Sequence, residues 1–188
     1  RSRKYLKETL SEIFTNEFKE IYNKYKNGNG NGYEFNSNET GRRRLNAVCL
    51  DYISTIPTLE TAELCYNQYM NSDNMTDRIA AMLPLMNHPN TSNGGDGSNG
   101  DILKIKNKIL NHFYSELAKG DSGSEVDDLV LNKWFSIQAL ASASASASAS
   151  ASASTSTDAA LDVLSNIKTL KNHKDFNFNP NRWRSLIG

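Results

Sequence analysis

Residues 45–56 read Leu45-Asn46-Ala47-Val48-Cys49-Leu50-Asp51-Tyr52-Ile53-Ser54-Thr55-Ile56. Leu45, Val48, Cys49, Tyr52, Ile53 and Ile56 recur at spacings of three and four. That spacing lays an apolar stripe along one face of a helix of 3.6 residues per turn, whereas a half-buried strand would need strict alternation. Pro57 follows at once and, with Thr58, ends one helix and opens the next.

Working outward, the same period returns along the chain. Upstream lie Leu6, Leu10, Phe14, Phe18, Ile21 and Tyr25. Downstream lie Ile79, Met82, Leu83 and Met86, then Ile102, Ile105, Ile109, Phe113 and Leu117. Val126, Val130, Trp134 and Ile137 follow, and then Ala160, Val163, Leu164, Ile167 and Leu170. Start signals agree. Asn74 stands three residues before Asp77 and Ser124 three before Asp127, each a short polar cap with an acid in the first turn. Asp158 is a good cap for the segment that follows residues 141–157. These signals predict seven or eight helices and no strand. The predicted fold is all-α, with antiparallel helix pairs stacked as an armadillo/HEAT-like solenoid. No strict sequence repeat supports the solenoid, which rests on helix number and length alone.

Low-complexity inserts at 27–40, 87–100 and 141–157 interrupt the pattern. The first two are rich in Gly and Asn, and Ala141 to Ser154 alternates Ala and Ser without a break. Such compositions bury too little apolar surface to offset their ordering entropy, so all three are read as linkers outside the core.

Charge excludes some functions. Lys and Arg number 21 and balance 21 Asp and Glu, which leaves no positive excess for nucleic acid or an anionic membrane. No apolar run approaches the roughly 20 residues that span a bilayer. Arg1 to Tyr25 is amphipathic rather than a signal peptide. The chain lacks an initiator Met, opens in mid-helix pattern and ends just after an apolar run, and the expectation is a fragment. Two cysteines, Cys49 and Cys65, fall in helical patterns and are expected as buried, reduced thiols.

No catalytic set is legible. Zinc hydrolysis needs ligands at fixed spacing, such as two His at i and i+4 with a Glu between. His88, His112 and His173 are scattered without acidic partners at ligand spacing. No Gly-rich phosphate loop follows a strand, no nucleophile-elbow Ser occurs, and neither Cys has a nearby His. The predicted catalytic and metal residues are therefore none. Arg42, Arg43 and Arg44 read as helix-surface ion-pair formers. Asn38, Asn74 and Asn90 match the glycosylation acceptor pattern, but Asn74 is better explained as a cap and the other two fall in Asn-rich linkers, where such matches arise by chance.

One stretch asks for more than packing. In Asn179-Pro180-Asn181-Arg182-Trp183-Arg184-Ser185-Leu186-Ile187-Gly188, Pro180 has its φ preset for a helix start and Asn179 can cap it. Arg182 and Arg184 then fall near the positive helix end, where a cation is unfavourable without an anionic partner. That partner is either a ligand carboxylate or an ion pair to a neighbouring helix.

Four blocks carry a family likeness: Arg43 to Leu50, Asn74 to Ala81, Leu129 to Ala139, and Asn179 to Gly188. In that order they make the chain resemble the C-terminal helical domain of bacterial-type alanyl aminopeptidases (aminopeptidase N). The likeness spans the chain apart from the inserts, so residues 1–188 are expected as a partial C-terminal domain. The resemblance implies a parent enzyme that removes N-terminal residues from peptides, with zinc held by an HExxH motif in an upstream domain. This fragment would bind no zinc and be inactive alone. Its partners would be the catalytic domain of the same polypeptide and peptide substrates, not nucleic acid or membrane, in a cytoplasmic setting. By the same resemblance the domain walls the substrate cavity and controls access, with Arg184, Arg182 and Asn181 as the cavity-lining candidates. Trp183 departs from the aliphatic residue usual there, and the family continues beyond Gly188 with further helices. The competing reading is a free-standing helical-repeat adaptor that binds a protein partner.

Overall fold

The computed structural model describes residues 2–26, 34–88, 98–118, 127–149, 156–177 and 179–187. No strand occurs among them. The helices are α1 (Ser2–Ile13), α2 (Thr15–Tyr25), α3 (Ser37–Ile53), α4 (Leu59–Asn71), α5 (Met75–Met86), α6 (Ser98–His112), α7 (Asp128–Ala149), α8 (Ser156–Lys171) and α9 (Pro180–Ile187). A π-helical turn, Phe113–Ala118, continues α6. These nine helices among the described residues exceed the seven or eight expected. One cause is a split at Phe14 of the stripe read as continuous from Leu6 to Tyr25. Ser11 Oγ donates to the Lys7 carbonyl at 2.8 Å, and Thr15 Oγ1 donates back to the Ser11 carbonyl. Such back-bonding to i−4 competes with the helical ladder and bends it.

The chain divides into two compact units, residues 1–88 with 92–105, and residues 89–91 with 106–188. In the first, α2 packs on α3 and α4 on α5, with α5 also against α3. Its core holds Tyr22, Cys49, Leu50, Ile53, Ala62, Cys65, Tyr69, Met82 and Leu85. Caps set the helix starts: Asn36 Oδ1 accepts from Glu39 N–H at 2.8 Å, and Asn74 Oδ1 from Asp77 N–H at 2.9 Å. Thr58 and Thr61 bond each other's backbone reciprocally. Both thiols are free and buried, as expected. Burial alone pushes Cys49 up, and it raises Cys65 to about 11, with Sγ 3.3 Å from Ser54 Oγ. Two of the three arginines are drawn inward rather than into the surface ion pairs expected: Arg42 pairs with the buried Glu39 at 2.7 Å and reaches the Tyr25 carbonyl, and buried Arg43 donates to the Glu34 carbonyl at 3.1 Å.

The stripe over 45–56 needs correction. Cys49 and Ile53 are buried, but Leu45, Val48 and Ile56 are exposed. The inward face of α3 is instead Glu39, Arg43, Asn46, Leu50 and Ile53. Leu6 and Phe14 are likewise exposed while Ser11 and Tyr22 are buried. Ser11, Glu39 and Arg43 are tolerated there because each has a bonded partner at hand.

In the second unit α7 packs against α8, α9 and the π turn. The expected Trp134 and Ile137 are buried there, with Leu131 and Phe135 beside them. Several expected boundaries move. Ser124 and Val126 lie outside the described residues, and α7 is capped by Asp127, whose Oδ1 accepts from Leu129 N–H at 2.9 Å and Val130 N–H at 3.1 Å. α7 runs through the Ala-Ser alternation to Ala149, since Ala is the best helix former and needs no packing partner. α8 starts at Ser156, so Asp158 falls inside it rather than capping it. α3 starts at Ser37 and α6 at Ser98, inside the expected inserts. Residues 27–33, 89–97 and 150–155 of those inserts, with Asn90, lie outside the described residues.

Candidate functional site

The Asn179–Ile187 stretch forms α9 as its capping residues dictate. Asn179 Oδ1 accepts from Asn181 N–H at 2.8 Å, and Pro180 opens the helix. With only eight residues, α9 carries Arg184 in its last turn. That corrects the expectation of two cations at the positive end: the dipole favours Arg184 where it stands.

Arg182 takes the opposite role. Its side chain is 1% exposed, and Nη2 donates to Asp128 Oδ1 at 2.6 Å. The guanidinium carbon lies 5.4 Å from the Phe135 ring centroid, within cation–π range. Nε and Nη1 have no hydrogen-bond partner among the described residues, and neither has the buried Asn132 Oδ1 on α7. Arg182 and Leu186, four residues apart, are the buried pair of α9. At about 100° per residue, Arg184 stands about 200° round the helix from Arg182. It is exposed, as is Asn181. The structure therefore separates the three candidates: Arg182 inward, Arg184 and Asn181 outward.

Behind Arg182 stands a cluster of rings that sequence reasoning missed. Phe135 meets Trp134, Phe176 and His173 edge-on at 5.0, 5.4 and 5.7 Å between centroids. Trp183 continues it, edge-on to Phe176 at 5.4 Å with Lys171 Nζ 5.7 Å from its ring. Trp134 Nε1 donates to the Leu110 carbonyl at 3.0 Å. Tyr114 donates to Asp175, and burial together with that carboxylate pushes the phenol up to about 12. Asp128, the partner of Arg182, was also missed. Its only sequence signal was an acid in a first helical turn.

The zinc implied for a parent enzyme finds no donor set here. Among the described residues no three His, Cys, Asp or Glu side chains converge. His88 is buried with Nε2 3.1 Å from the Ser54 carbonyl, and His173 lies among the rings.

Comparison with known proteins extends the picture. A family described as "Domain of unknown function (DUF3458_C) ARM repeats" matches residues 1–188. The chain belongs to this ARM-repeat family. The paired helices of each unit are thus armadillo-type repeats, the fold class expected from the stripes. The domain is also 26% identical over 188 residues to Aminopeptidase N of Haemophilus influenzae, and 25% identical over 187 residues to Aminopeptidase N of Escherichia coli. These alignments cover 100% and 99% of the ARM-repeat domain but 17% of each relative. No described helix is long and apolar enough to cross a membrane.

Proposed function

We propose that this domain is a non-catalytic C-terminal part of a zinc-dependent aminopeptidase that removes N-terminal residues from peptides. In this reading it walls the substrate cavity and controls access to it. The likeness of the whole chain to about a sixth of two proteins named Aminopeptidase N, 17% of each, carries the proposal. α9 supplies the cavity-facing chemistry: Arg184 and Asn181 stand exposed on a helix held from behind by Arg182. A guanidinium fork suits the carboxylate or carbonyl oxygens of a peptide. Zinc and its ligands belong to the catalytic domain of the same polypeptide. Tyr5, Leu6 and Ile13 of α1, with Phe14 just after it, are exposed apolar side chains available for contact with that domain. The free thiols Cys49 and Cys65 suit a reducing, cytoplasmic setting.

The first test is made on the isolated domain. Dialysed and analysed for metal, it is expected to hold far less than one zinc per chain and to leave aminoacyl-anilides uncleaved. Stoichiometric zinc with hydrolysis would overturn the non-catalytic role. A parent polypeptide without aminopeptidase activity would favour the adaptor reading instead.

A further inference from the structure

We propose that Asp128 and Arg182 form a positioning pair that fixes where α9 presents Arg184, so that Asp128 on α7 sets the reach of the cavity wall. This inference rests on the reading of Arg184 under Proposed function.

α9 has two turns, too few to hold its place by helix propensity, so its position comes from packing. Among the described residues its buried anchors are Arg182 and Leu186. Leu186 is non-directional, as any apolar contact is. Arg182 is directional: one short bond to Asp128 Oδ1 and one ring face, Phe135, both on α7. Asp128 and Phe135 are seven residues apart and so share a face of α7. The guanidinium bridges them and registers α9 along α7.

The pair is lopsided. The Asp128 side chain is 60% exposed while Arg182 is 1% exposed. Asp128 stays hydrated in the first turn of α7, where the helix end favours a carboxylate. Arg182 stays dehydrated, with Nε and Nη1 unsatisfied among the described residues. A buried cation tolerates this only while a counter-charge remains. Removing the Asp128 charge leaves the guanidinium better off in water, and its departure from Phe135 releases the directional anchor of α9. Arg184, two residues on and on the far face, moves with the helix. A misplacement of about 1 Å remote from the chemistry can cost up to about 10²-fold in rate.

The test uses the full-length polypeptide. kcat/KM is measured for a peptide of several residues and for an aminoacyl-anilide, in wild type, Arg184→Ala, Asp128→Asn, Asp128→Glu and the Asp128→Asn/Arg184→Ala double variant. Asp128→Asn is expected to lower the peptide-to-anilide ratio about threefold to tenfold, comparable in size to Arg184→Ala. The double variant is expected to be no worse than Arg184→Ala alone, because both changes act through one side chain. Asp128→Glu restores the charge and is expected to recover most of the ratio. Arg182→Lys keeps the charge but loses the planar fork over Phe135. It carries the same expectation at smaller size, and stands in should Asp128→Asn not fold. Equal loss on both substrates, or full additivity in the double variant, would overturn the pair. A changed ratio in Arg184→Ala with none in Asp128→Asn also overturns the pair and leaves the cavity reading standing. An unchanged ratio in Arg184→Ala overturns the cavity reading itself, and the inference with it.

Discussion

Helix α7 buries Leu131, Trp134, Phe135 and Ile137, and its outward residues include Lys133 and Leu140. Helix α3 has a comparable apolar period but turns Leu45 and Val48 outward, 41% and 44% exposed, and buries Glu39, Arg43 and Asn46. Two of these polar groups have partners close in sequence, Arg42 for Glu39 and the Glu34 carbonyl for Arg43, while Asn46 makes one long bond from Nδ2 to Gln68 at 3.4 Å and keeps a buried Oδ1 unbonded among the described residues. A satisfied polar group costs little to bury, so apolar spacing alone does not decide which face turns inward. On α7 the ring cluster leaves no such choice.

The comparison breaks most readily at Phe135. It is fully buried and touches three aromatic neighbours, with the Arg182 guanidinium over its ring. Phe135→Ala is expected to cost about 3–5 kcal/mol, from lost transfer energy plus a cavity. Denaturant unfolding checks it, and a loss under about 1 kcal/mol would show a cluster that collapses around the gap or is not packed as described.

A matched pair sharpens the contrast. Ile137→Val on α7 is expected to cost about 0.5–1.5 kcal/mol, and Val48→Ala on α3 within about 0.5 kcal/mol. Chemical denaturation of both variants tests the facing of the two helices. A larger loss from Val48→Ala would restore the face first read from the sequence.

A pH experiment probes another buried polar group, Lys106 of α6. Burial lowers its amine from 10.5 to about 8. Between those values the unfolded chain binds more protons than the folded one, so this group makes stability rise with pH. The slope is at most about 1.4 kcal/mol per pH unit. Cys49 and Cys65 are raised from 9.0, and Tyr69 and Tyr114 from 10.0, so each withdraws stability above those values. The window is therefore cleanest near about pH 8, before the cysteines ionise in the unfolded chain. Lys106→Met is expected to flatten the rise there, and an unchanged slope would remove Lys106 from the account.

Much of the fold was legible in sequence. The helical period, the Asn74 cap, Thr58 at the start of α4 and the Asn179-Pro180 opening of α9 act through neighbours a few residues away. Facing was less legible, because the Glu34 carbonyl that takes Arg43 is set by how α3 meets the residues before it. The site was half legible. Residues 179–187 announced a capped helix with two arginines that wanted an anion. Asp128, which meets Arg182 across 54 residues of chain, showed only as an acid in a first helical turn, with nothing local to point at Arg182. The meeting of His173 and Phe176 with Phe135 left no local trace, since ring contacts between separate segments have no sequence period.

The central claim, that α9 presents Arg184 to a bound peptide, is met most directly by one substitution. In the full-length polypeptide, Arg184→Ala is expected to lower kcat/KM for peptides about tenfold, and for small aminoacyl-anilides much less. The basis is a lost charge-assisted hydrogen bond, about 1.5–3 kcal/mol when desolvated and less beside cavity water. The melting temperature should hardly move, because Arg184 is exposed. An equal loss on both substrates with a clear drop in melting temperature would contradict the claim and assign Arg184 to packing.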